Sequence, residues 1–483
     1  MRQGSTPRAL RRALPWTLAL AATLGLAACG GGGNPSPPSL ATVASVNAAS
    51  TAPSSAPSGG FQQLVVFGDS LSDGGTYTPA AVLATQGSAA VASFGTALVA
   101  DPANALTTYG AAGGKFTVNP GPIWVGDLAT ALGVPTPLPN EIGYGSVEIS
   151  TGVFSPTIFP TMTCQSIQQL NSTVDPSLCT DYAQGGSRVA LQPGIGHYTI
   201  NTTTGLPYTD GSGQPYVSAL TVPMTDQVTN YLTEFHSFNA NQLVAVLGGN
   251  NDIFFALSNV QTQVTAAVTQ AVTAAVTANP SLTTAQIDAI KASTTETATA
   301  AAVTAAQTAV AQAADALSGL VQTVLDNGGK YVVVYTLPDS SLTPFGQSLS
   351  GGTTCNVQDP STPCYLLSNL VNVFNQQLLN DLQGKAVKVL DGHALLAQEI
   401  ANPAQFGLSN VTTPWCSPLT GGSSTSAPNS LMCSAATPNT AAGATTADLG
   451  SWLFADGVHP TPAGYAVIAG ATHADLISFG WAQ

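Results

Sequence analysis

Residues 64–75 read LVVFGDSLSDGG, in which an apolar, β-branched run stops at a glycine and a serine follows two residues later. A run of this length and composition is typical of a buried strand in a parallel sheet. Comparable runs recur at Leu243–Leu247, Tyr331–Tyr335 and Val387–Leu390. We therefore predict a parallel sheet, with Ser70 just beyond the end of its first strand.

Helical patterns lie between these apolar runs, at Pro122–Leu132, Gln227–His236, Leu366–Leu382 and Pro462–Phe479. Alternating strands and helices predict an α/β fold in which helices cover both faces of the sheet. Ligands of such folds bind at the carboxyl ends of the strands. The motif that contains Ser70 is predicted to lie at that edge.

Three further motifs carry groups that a serine nucleophile needs: AQGGS at residues 183–187, GGNND at residues 248–252 and DGVHPT at residues 456–461. A serine hydroxyl is a poor nucleophile until a base removes its proton. Of the five histidines, only His459 lies in a compact acidic loop, where Asp456 precedes it by three residues. This spacing can place the carboxylate against one ring nitrogen while the other faces Ser70. His393, two residues after Asp391, is the alternative base.

The same motifs offer hydrogen-bond donors for an oxyanion, the charged oxygen that forms when a nucleophile attacks a carbonyl. The candidates are the backbone N–H groups of Ser70 and Gly186 and the side-chain amide of Asn251. Gly186 has no side chain that would obstruct a substrate. Gly185 and Asn250 are the neighbouring alternatives for the last two donors.

Together the four motifs resemble the sequence blocks of GDSL esterases and lipases of the SGNH hydrolase superfamily. The resemblance covers about residues 64–482, apart from two insertions. It implies a flavodoxin-like, three-layer αβα fold with about five parallel strands in the central sheet. It also implies hydrolysis through an acyl-serine intermediate without a metal or organic cofactor. The resemblance implies that Ser70 is the nucleophile and that His459 is the base, oriented by Asp456. It also implies that Ser70, Gly186 and Asn251 donate hydrogen bonds to the oxyanion.

The N-terminus has the pattern of an export signal. Four arginines precede an apolar run from Ala13 to Ala28, which is too short to favour a membrane span. The run ends in LAAC, which resembles the lipobox at which a bacterial lipoprotein precursor is cleaved before a cysteine that becomes diacylated. We therefore predict a lipoprotein signal peptide at residues 1–28, lipidation of Cys29 and a flexible tether at residues 29–60. The residue after Cys29 is not aspartate, which favours the outer membrane or cell surface.

The charge balance excludes one class of partner. The formal net charge is −14, and loss of residues 1–28 would leave six basic residues against 24 acidic ones. Such a surface repels nucleic acid and anionic lipid headgroups, so nucleic-acid binding is not expected. We expect a monomer that meets the membrane only through its lipid anchor.

Six cysteines remain beyond Cys29, and an even number favours disulfides in an oxidising compartment. Six cysteines allow about 15 pairings, and the sequence-local choice is Cys164–Cys179, Cys355–Cys364 and Cys416–Cys433. A metal site is the alternative, but no CxxC motif and no histidine at ligand spacing accompanies these residues.

Two insertions interrupt the predicted hydrolase domain, residues 61–483. Residues 143–216 are rich in Gly, Pro, Thr and Asn and are predicted to form loops. Residues 258–317 are mostly Ala, Thr, Val and Gln and are interrupted at Asn279-Pro280, which predicts two antiparallel helices. A tolerated surface insertion is the favoured interpretation of this pair, and a lid or partner-docking arm is the alternative.

These patterns predict an exported serine esterase or lipase, lipid-anchored or secreted, that acts on ester or lipid substrates. Two alternatives stay open. One is an acyltransferase that uses the same triad, and the other is a non-catalytic surface-binding lipoprotein.

Overall fold

The computed structural model describes residues 40–143, 162–195, 221–352, 354–360, 362–418 and 428–483. The predicted signal peptide, Cys29 and much of the predicted insertion at 143–216 lie outside these ranges. Within the ranges, no helix is long and apolar enough to cross a bilayer.

The described residues form the following strands and helices. The strands are β1 (Gln63–Gly68), β2 (Glu141–Ile142), β3 (Met162–Thr163), β4 (Gln242–Leu247), β5 (Tyr331–Tyr335) and β6 (Lys388–Leu390). The helices are α1 (Val43–Ala49), α2 (Thr78–Gln86), α3 (Ser88–Ala100), α4 (Pro102–Tyr109), α5 (Trp124–Leu132), α6 (Cys164–Leu170), α7 (Met224–Phe235), α8 (Asn250–Ala278), α9 (Thr284–Asp326), α10 (Pro344–Ser348), α11 (Pro363–Leu382), α12 (Gly392–Ala401) and α13 (Pro462–Ser478).

Four of these strands form the central sheet in the order β1-β4-β5-β6, and each neighbouring pair is parallel. The predicted α/β fold with a parallel sheet is therefore confirmed. Among the described residues the sheet has four strands rather than about five, because there the segment beside β1 pairs with it at one residue only, Asp181. The Asp181 carboxylate accepts hydrogen bonds from the N–H groups of Ala183 and Gly74, and these bonds hold a turn where a longer strand would continue.

Side-chain alternation along the strands divides the core between two helix layers. In β1, Val65 and Phe67 face the layer that contains α7, α8, α9 and α11. Leu64 and Val66 face the layer that contains α5 and α13. Residues of β4 and β5 alternate in the same way. The result is a three-layer αβα arrangement, and the carboxyl ends of all four parallel strands lie along one edge of the middle layer.

Residues 40–60 differ from the predicted flexible tether at 29–60. Helix α1 lies beside β6, where the Asn47 side chain accepts the Val389 N–H at 2.7 Å and donates to the Val389 carbonyl at 2.8 Å. Val46 is fully buried, and the Trp481 indole donates to the Pro53 carbonyl at 2.6 Å. An edge strand leaves backbone groups unpaired, and the Asn47 side chain supplies partners for them.

Helices α8 and α9 are joined by residues 279–283 and pack against each other. They contain 29 and 43 residues, which correspond to roughly 43 Å and 64 Å of helix. Their buried residues lie between Asn250 and Val264 in α8 and between Thr299 and Val324 in α9. The ends nearest the connection therefore project from the body. Both helices extend further into the body than the predicted range 258–317.

Three disulfides, Cys164–Cys179, Cys355–Cys364 and Cys416–Cys433, join the sequence-local pairs. They close loops of 15, 9 and 17 residues. In the chain-entropy model a loop of about fifteen residues contributes about 3 kcal/mol. The third disulfide closes a loop that reaches the candidate active site.

Candidate active site

The turn after β1 presents Ser70 at the carboxyl edge of the sheet. Gly68, the last residue of β1, lies so close to β4 that an added Cβ would be 2.4 Å from the Leu247 carbonyl oxygen. Only glycine fits at such a close approach. The buried carboxylate of Asp69 holds the turn by accepting the Leu71 N–H at 3.1 Å. Ser70 is the middle residue of this turn and lines a cavity.

Ser70, His459 and Asp456 form one chain of hydrogen bonds. Ser70 Oγ lies 2.8 Å from His459 Nε2, and His459 Nδ1 lies 2.9 Å and 2.8 Å from the two Asp456 oxygens. The Phe116 ring packs against the imidazole, with centroids 4.9 Å apart. These contacts have the geometry of a nucleophile, its base and a carboxylate that orients the base.

The Asp456 carboxylate accepts hydrogen bonds on both oxygens. Oδ1 accepts the N–H groups of Val458 at 2.9 Å and His459 at 2.8 Å. Oδ2 accepts the Ser430 N–H at 3.1 Å and the Ser430 hydroxyl at 2.5 Å. Burial by itself would raise the pKa of Asp456, but the His459 charge and the hydrogen bonds from His459 and Ser430 hold the pKa well below its usual range. Asp456 is therefore ionised near neutral pH.

Sequence reasoning missed Ser430, which lies 26 residues before Asp456. Ser430 begins a short 3-10 turn that the Asn429 side chain caps. An asparagine before a serine is common in loops, so the local sequence does not distinguish Ser430 from other loop serines. The Cys416–Cys433 disulfide closes the loop that carries Ser430. The contact with Asp456 depends on where that closed loop packs.

We expect Ser430→Ala to lower the free energy of unfolding by about 2 kcal/mol near pH 7, because it removes a hydrogen bond to an ionised group. The folded pKa of Asp456 lies below its unfolded value of 3.8, so the stabilisation is complete above that pH and is lost as the pH falls below it. The stability difference between the variant and the parent should therefore shrink below pH 3.8. Urea unfolding at neutral and at acid pH measures this difference. An equal difference at both pH values would show that Ser430 acts independently of the Asp456 charge.

The alternative base, His393, is not hydrogen-bonded to Ser70 in the described part of the chain. It lies in the first turn of α12. Asp391 does not orient it there but caps the helix by accepting the Ala394 N–H at 2.9 Å. The structure thus brings His459, rather than His393, to the serine.

Gly185 and Gly186 differ in what their backbone N–H groups bind. The Gly185 N–H donates to Asp73 Oδ2 at 2.9 Å, whereas no described residue accepts a hydrogen bond from the Gly186 N–H. Gly186 has a φ of +82°, and an added Cβ would lie 2.1 Å from the Ile195 carbonyl oxygen, so no other residue fits. The geometry favours Gly186 as the donor to an oxyanion.

Asp73, which sequence reasoning also missed, connects the loop that contains Gly185 and Gly186 (the glycine loop) to the loop that contains Ser70. Its Oδ1 accepts the N–H groups of Gly75 at 2.9 Å and Thr76 at 2.8 Å, while Oδ2 accepts that of Gly185. Burial raises the pKa of Asp73 to about 6, although these backbone hydrogen bonds act to lower it. The sequence signal that could have identified Asp73 is its position in the GDSLSDGG motif.

The two asparagines at the start of α8 also differ in their partners. Asn251 Nδ2 donates to the Ser187 carbonyl at 2.8 Å, which orients the amide and leaves its second N–H available. The Asn250 side chain is buried, and neither its Oδ1 nor its Nδ2 has a hydrogen-bond partner among the described residues. Both asparagines line the same cavity as Ser70 and Gly186.

Asp252, the next residue, anchors the glycine loop to α8. Its Oδ1 lies 2.9 Å from Arg188 Nε, and its Oδ2 accepts the Val189 N–H at 2.9 Å. The Arg188 guanidinium lies over the Phe255 ring, 4.2 Å from the centroid. Arg188 was also missed, although it is the sole arginine in the sequence beyond residue 12 and directly follows the AQGGS motif.

The cavity that contains these groups has a volume of about 760 Å³, within the range of small-molecule sites. Its walls include the apolar side chains of Phe116, Phe254, Leu431 and Phe454. From the projecting pair of helices, only the first residues of α8 line this cavity, and no residue of α9 does. An ester could therefore reach Ser70 while its aliphatic part stays buried.

Residues 64–472 match the protein family described as GDSL-like Lipase/Acylhydrolase. The chain belongs to this family. The match includes β4, β5, β6 and all of β1 except its first residue, and also the hydrogen-bonded residues Ser70, Asp456 and His459. The description of this family names lipases and acylhydrolases.

One curated relative is a Pseudomonas putida protein described as "Uncharacterized protein in trpE-trpG intergenic region". This GDSL-like chain is 32% identical to it over 173 residues, which make up 35% of the chain and 25% of that protein. The chain thus spans a quarter of the length of the relative it matches, and the relative's name assigns no reaction.

We expect Asn251→Ala in this GDSL-like protein to lower kcat by about 10²- to 10³-fold, the usual cost of losing an oxyanion donor. Asn250→Ala is the matched control, because it removes the neighbouring amide, which no described residue orients. It should lower kcat by less than about tenfold. Hydrolysis of para-nitrophenyl butyrate measures both effects. The opposite order of losses would assign the donor to Asn250.

Proposed function

We propose that this protein hydrolyses carboxylic esters through an acyl-serine intermediate, as an esterase or lipase. The observation that carries the proposal is the hydrogen bond of 2.8 Å between Ser70 Oγ and His459 Nε2, with Asp456 on the other ring nitrogen. In the first step His459 removes the hydroxyl proton while Ser70 Oγ attacks the ester carbonyl. The protonated His459 then gives this proton to the departing alcohol, and the acyl group remains on Ser70. A water molecule, deprotonated by the same histidine, then attacks the acyl carbon. The bond between this carbon and Ser70 Oγ breaks, His459 returns the proton to Ser70 Oγ, and the acid leaves.

The oxygen of the attacked carbonyl becomes negatively charged in both steps. The backbone N–H groups of Ser70 and Gly186 and the second N–H of the Asn251 amide are the proposed donors to it. Asp456 keeps the His459 ring in one orientation and stabilises the imidazolium. Because Asp456 stays ionised, it does not compete with His459 for the proton.

The proposal is tested by exposing the purified protein to a fluorophosphonate probe and mapping the modified peptide. Labelling of Ser70, together with hydrolysis of para-nitrophenyl butyrate, supports it. Failure to label Ser70 in the folded protein would instead favour a surface-binding protein that keeps only the fold. If an added alcohol receives most of the acyl group in competition with water, the protein is an acyltransferase that uses the same intermediate.

We further propose that the protein is exported as a lipoprotein, with residues 1–28 as signal peptide and a diacylated Cys29 as anchor at the outer membrane or cell surface. Supporting observations are the charged and apolar pattern before Cys29 and the three disulfides, which form in oxidising compartments. Radiolabelled palmitate should be incorporated into the parent protein and not into Cys29→Ser. Equal labelling of the two would overturn the anchor.

A further inference from the structure

The cavity extends well beyond the catalytic groups. It is lined by Ser70 and Leu71 after β1, by Asn250 after β4, by Thr336 after β5 and by Gly392 after β6. In the strand order β1-β4-β5-β6, the distance from β1 to β6 is three interstrand spacings, or about 14 Å. Carbon–carbon bonds of about 1.5 Å at tetrahedral angles advance an extended chain by about 1.25 Å per carbon, so roughly eleven carbons fit this span.

Glu399 is an unusual residue in the lining of this cavity. It lies on α12, one turn after Leu395 and Leu396, and all three residues line the cavity. The Glu399 residue is only 3% exposed. Its Oε1 has no hydrogen-bond partner, and no ion pair in the described ranges includes it. A buried polar group in this position is expected to have a partner.

The surroundings of Glu399 favour its neutral form. The cavity lining that contains Glu399 also includes Leu396, Leu453 and Phe454, which pack together in one apolar cluster. Burial raises the pKa of Glu399 to about 8, and no neighbouring charge opposes the effect. A protonated carboxyl offers one hydrogen-bond donor and also accepts, so its complement is an uncharged group that can do both. A hydroxyl group has this property.

We propose that Glu399 binds a hydroxyl group that the substrate carries at a distance from the scissile ester, so that the enzyme prefers esters with a hydroxylated aliphatic chain. This inference rests on the proposed ester hydrolysis. Glu399 is a specificity-determining residue, because it contacts the substrate away from the reacting atoms. The ester carbonyl lies at Ser70, and the aliphatic chain follows the carboxyl edge of the sheet towards α12.

The test compares kcat/KM for para-nitrophenyl decanoate and for a set of para-nitrophenyl hydroxydecanoates that differ in hydroxyl position. A second pair, decyl acetate and the acetate monoester of decanediol, places the hydroxyl on the alcohol side. The parent should prefer at least one hydroxylated ester by about tenfold, the effect of one hydrogen bond in a desolvated site. Which pair shows the preference tells which side of the ester points to Glu399.

Two variants of Glu399 and one control variant test whether this side chain causes the preference. Glu399→Gln should keep the preference, because a carboxamide can also donate and accept. Glu399→Leu should abolish it and raise kcat/KM for the unsubstituted decanoate. Gln398→Leu, a neighbouring change at an exposed cavity-lining position, should leave the preference unchanged.

Equal kcat/KM values for all esters in the parent, or an unchanged preference in Glu399→Leu, would overturn the inference while leaving the ester hydrolysis intact. A preference for a trimethylammonium-bearing ester that Glu399→Gln abolishes would also overturn it, because Glu399 would then bind a cation as a carboxylate. If the parent hydrolyses no ester, the proposed function fails. Calorimetric binding of methyl decanoate and methyl hydroxydecanoates to Ser70→Ala still tests Glu399, and equal affinities would overturn the inference.

Discussion

Ser70→Ala is expected to lower kcat for ester hydrolysis by about 10⁴- to 10⁶-fold, the range found when a serine hydrolase loses its nucleophile. The physical reason is that Ser70 Oγ is the atom hydrogen-bonded to His459 Nε2, at 2.8 Å. Without this oxygen no acyl-enzyme can form, and only the oxyanion donors and binding contacts contribute to the remaining rate. The measurement is turnover of para-nitrophenyl butyrate, with unfolding followed in parallel.

Ser72→Ala is the matched control for this prediction. Ser72 lies two residues away in the same motif, is fully buried, and its hydroxyl has no hydrogen-bond partner in the part of the chain that the structure describes. Removing an unpaired hydroxyl should leave both kcat and stability nearly unchanged. A Ser70→Ala variant that keeps most of the parent activity would contradict the assignment of the nucleophile.

The second large effect is expected for His459→Ala and Asp456→Asn. Each should lower kcat by about 10⁴-fold or more, because the first removes the base and the second removes the charge that orients it. The two losses should not multiply. In the double variant the Asp456 side chain has no imidazole to act on, so its kcat should equal that of His459→Ala within about threefold.

Stopped-flow measurement of the acylation rate separates this effect from changes in substrate binding. His393→Ala is the control, since His393 has no hydrogen bond to Ser70 among the described residues, and it should lower kcat by less than about threefold. Independent, multiplying defects in His459→Ala and Asp456→Asn would refute the triad. A large loss of kcat in His393→Ala would instead indicate that His393 and Asp391 are the base and its orienting acid.

The positions of the sheet strands could be read from the sequence because each contains a short run of mainly apolar residues. Val387–Leu390 and β6, Lys388–Leu390, differ by one residue, and Tyr331–Tyr335 agrees with β5. The edge next to β1 could not be predicted in this way. There Asp181 forms only an isolated bridge with Val66 in the described part of the chain, and its carboxylate bonds to backbone groups of two separate segments.

The pairing of Asp456 with His459 could be predicted because the two residues lie three positions apart, within one turn of chain. The choice between Gly185 and Gly186 could only be favoured, since both are glycines in the same motif. The structure distinguishes them through Asp73, which binds the Gly185 N–H from a loop 112 residues away.

The sequence by itself determined the alternation of strands and helices and the motifs that contain Ser70, Asp456 and His459, and it favoured the local pairing of the cysteines. Each depends on residues that are close together in the chain, or on a residue type that one conformation requires. Only the tertiary structure decided that Ser430 binds Asp456, that residues 43–49 cover the β6 edge and that Glu399 shares a cavity with Ser70. These contacts join segments that are distant in sequence. Their formation depends on how buried surfaces pack, which no local pattern of residues records.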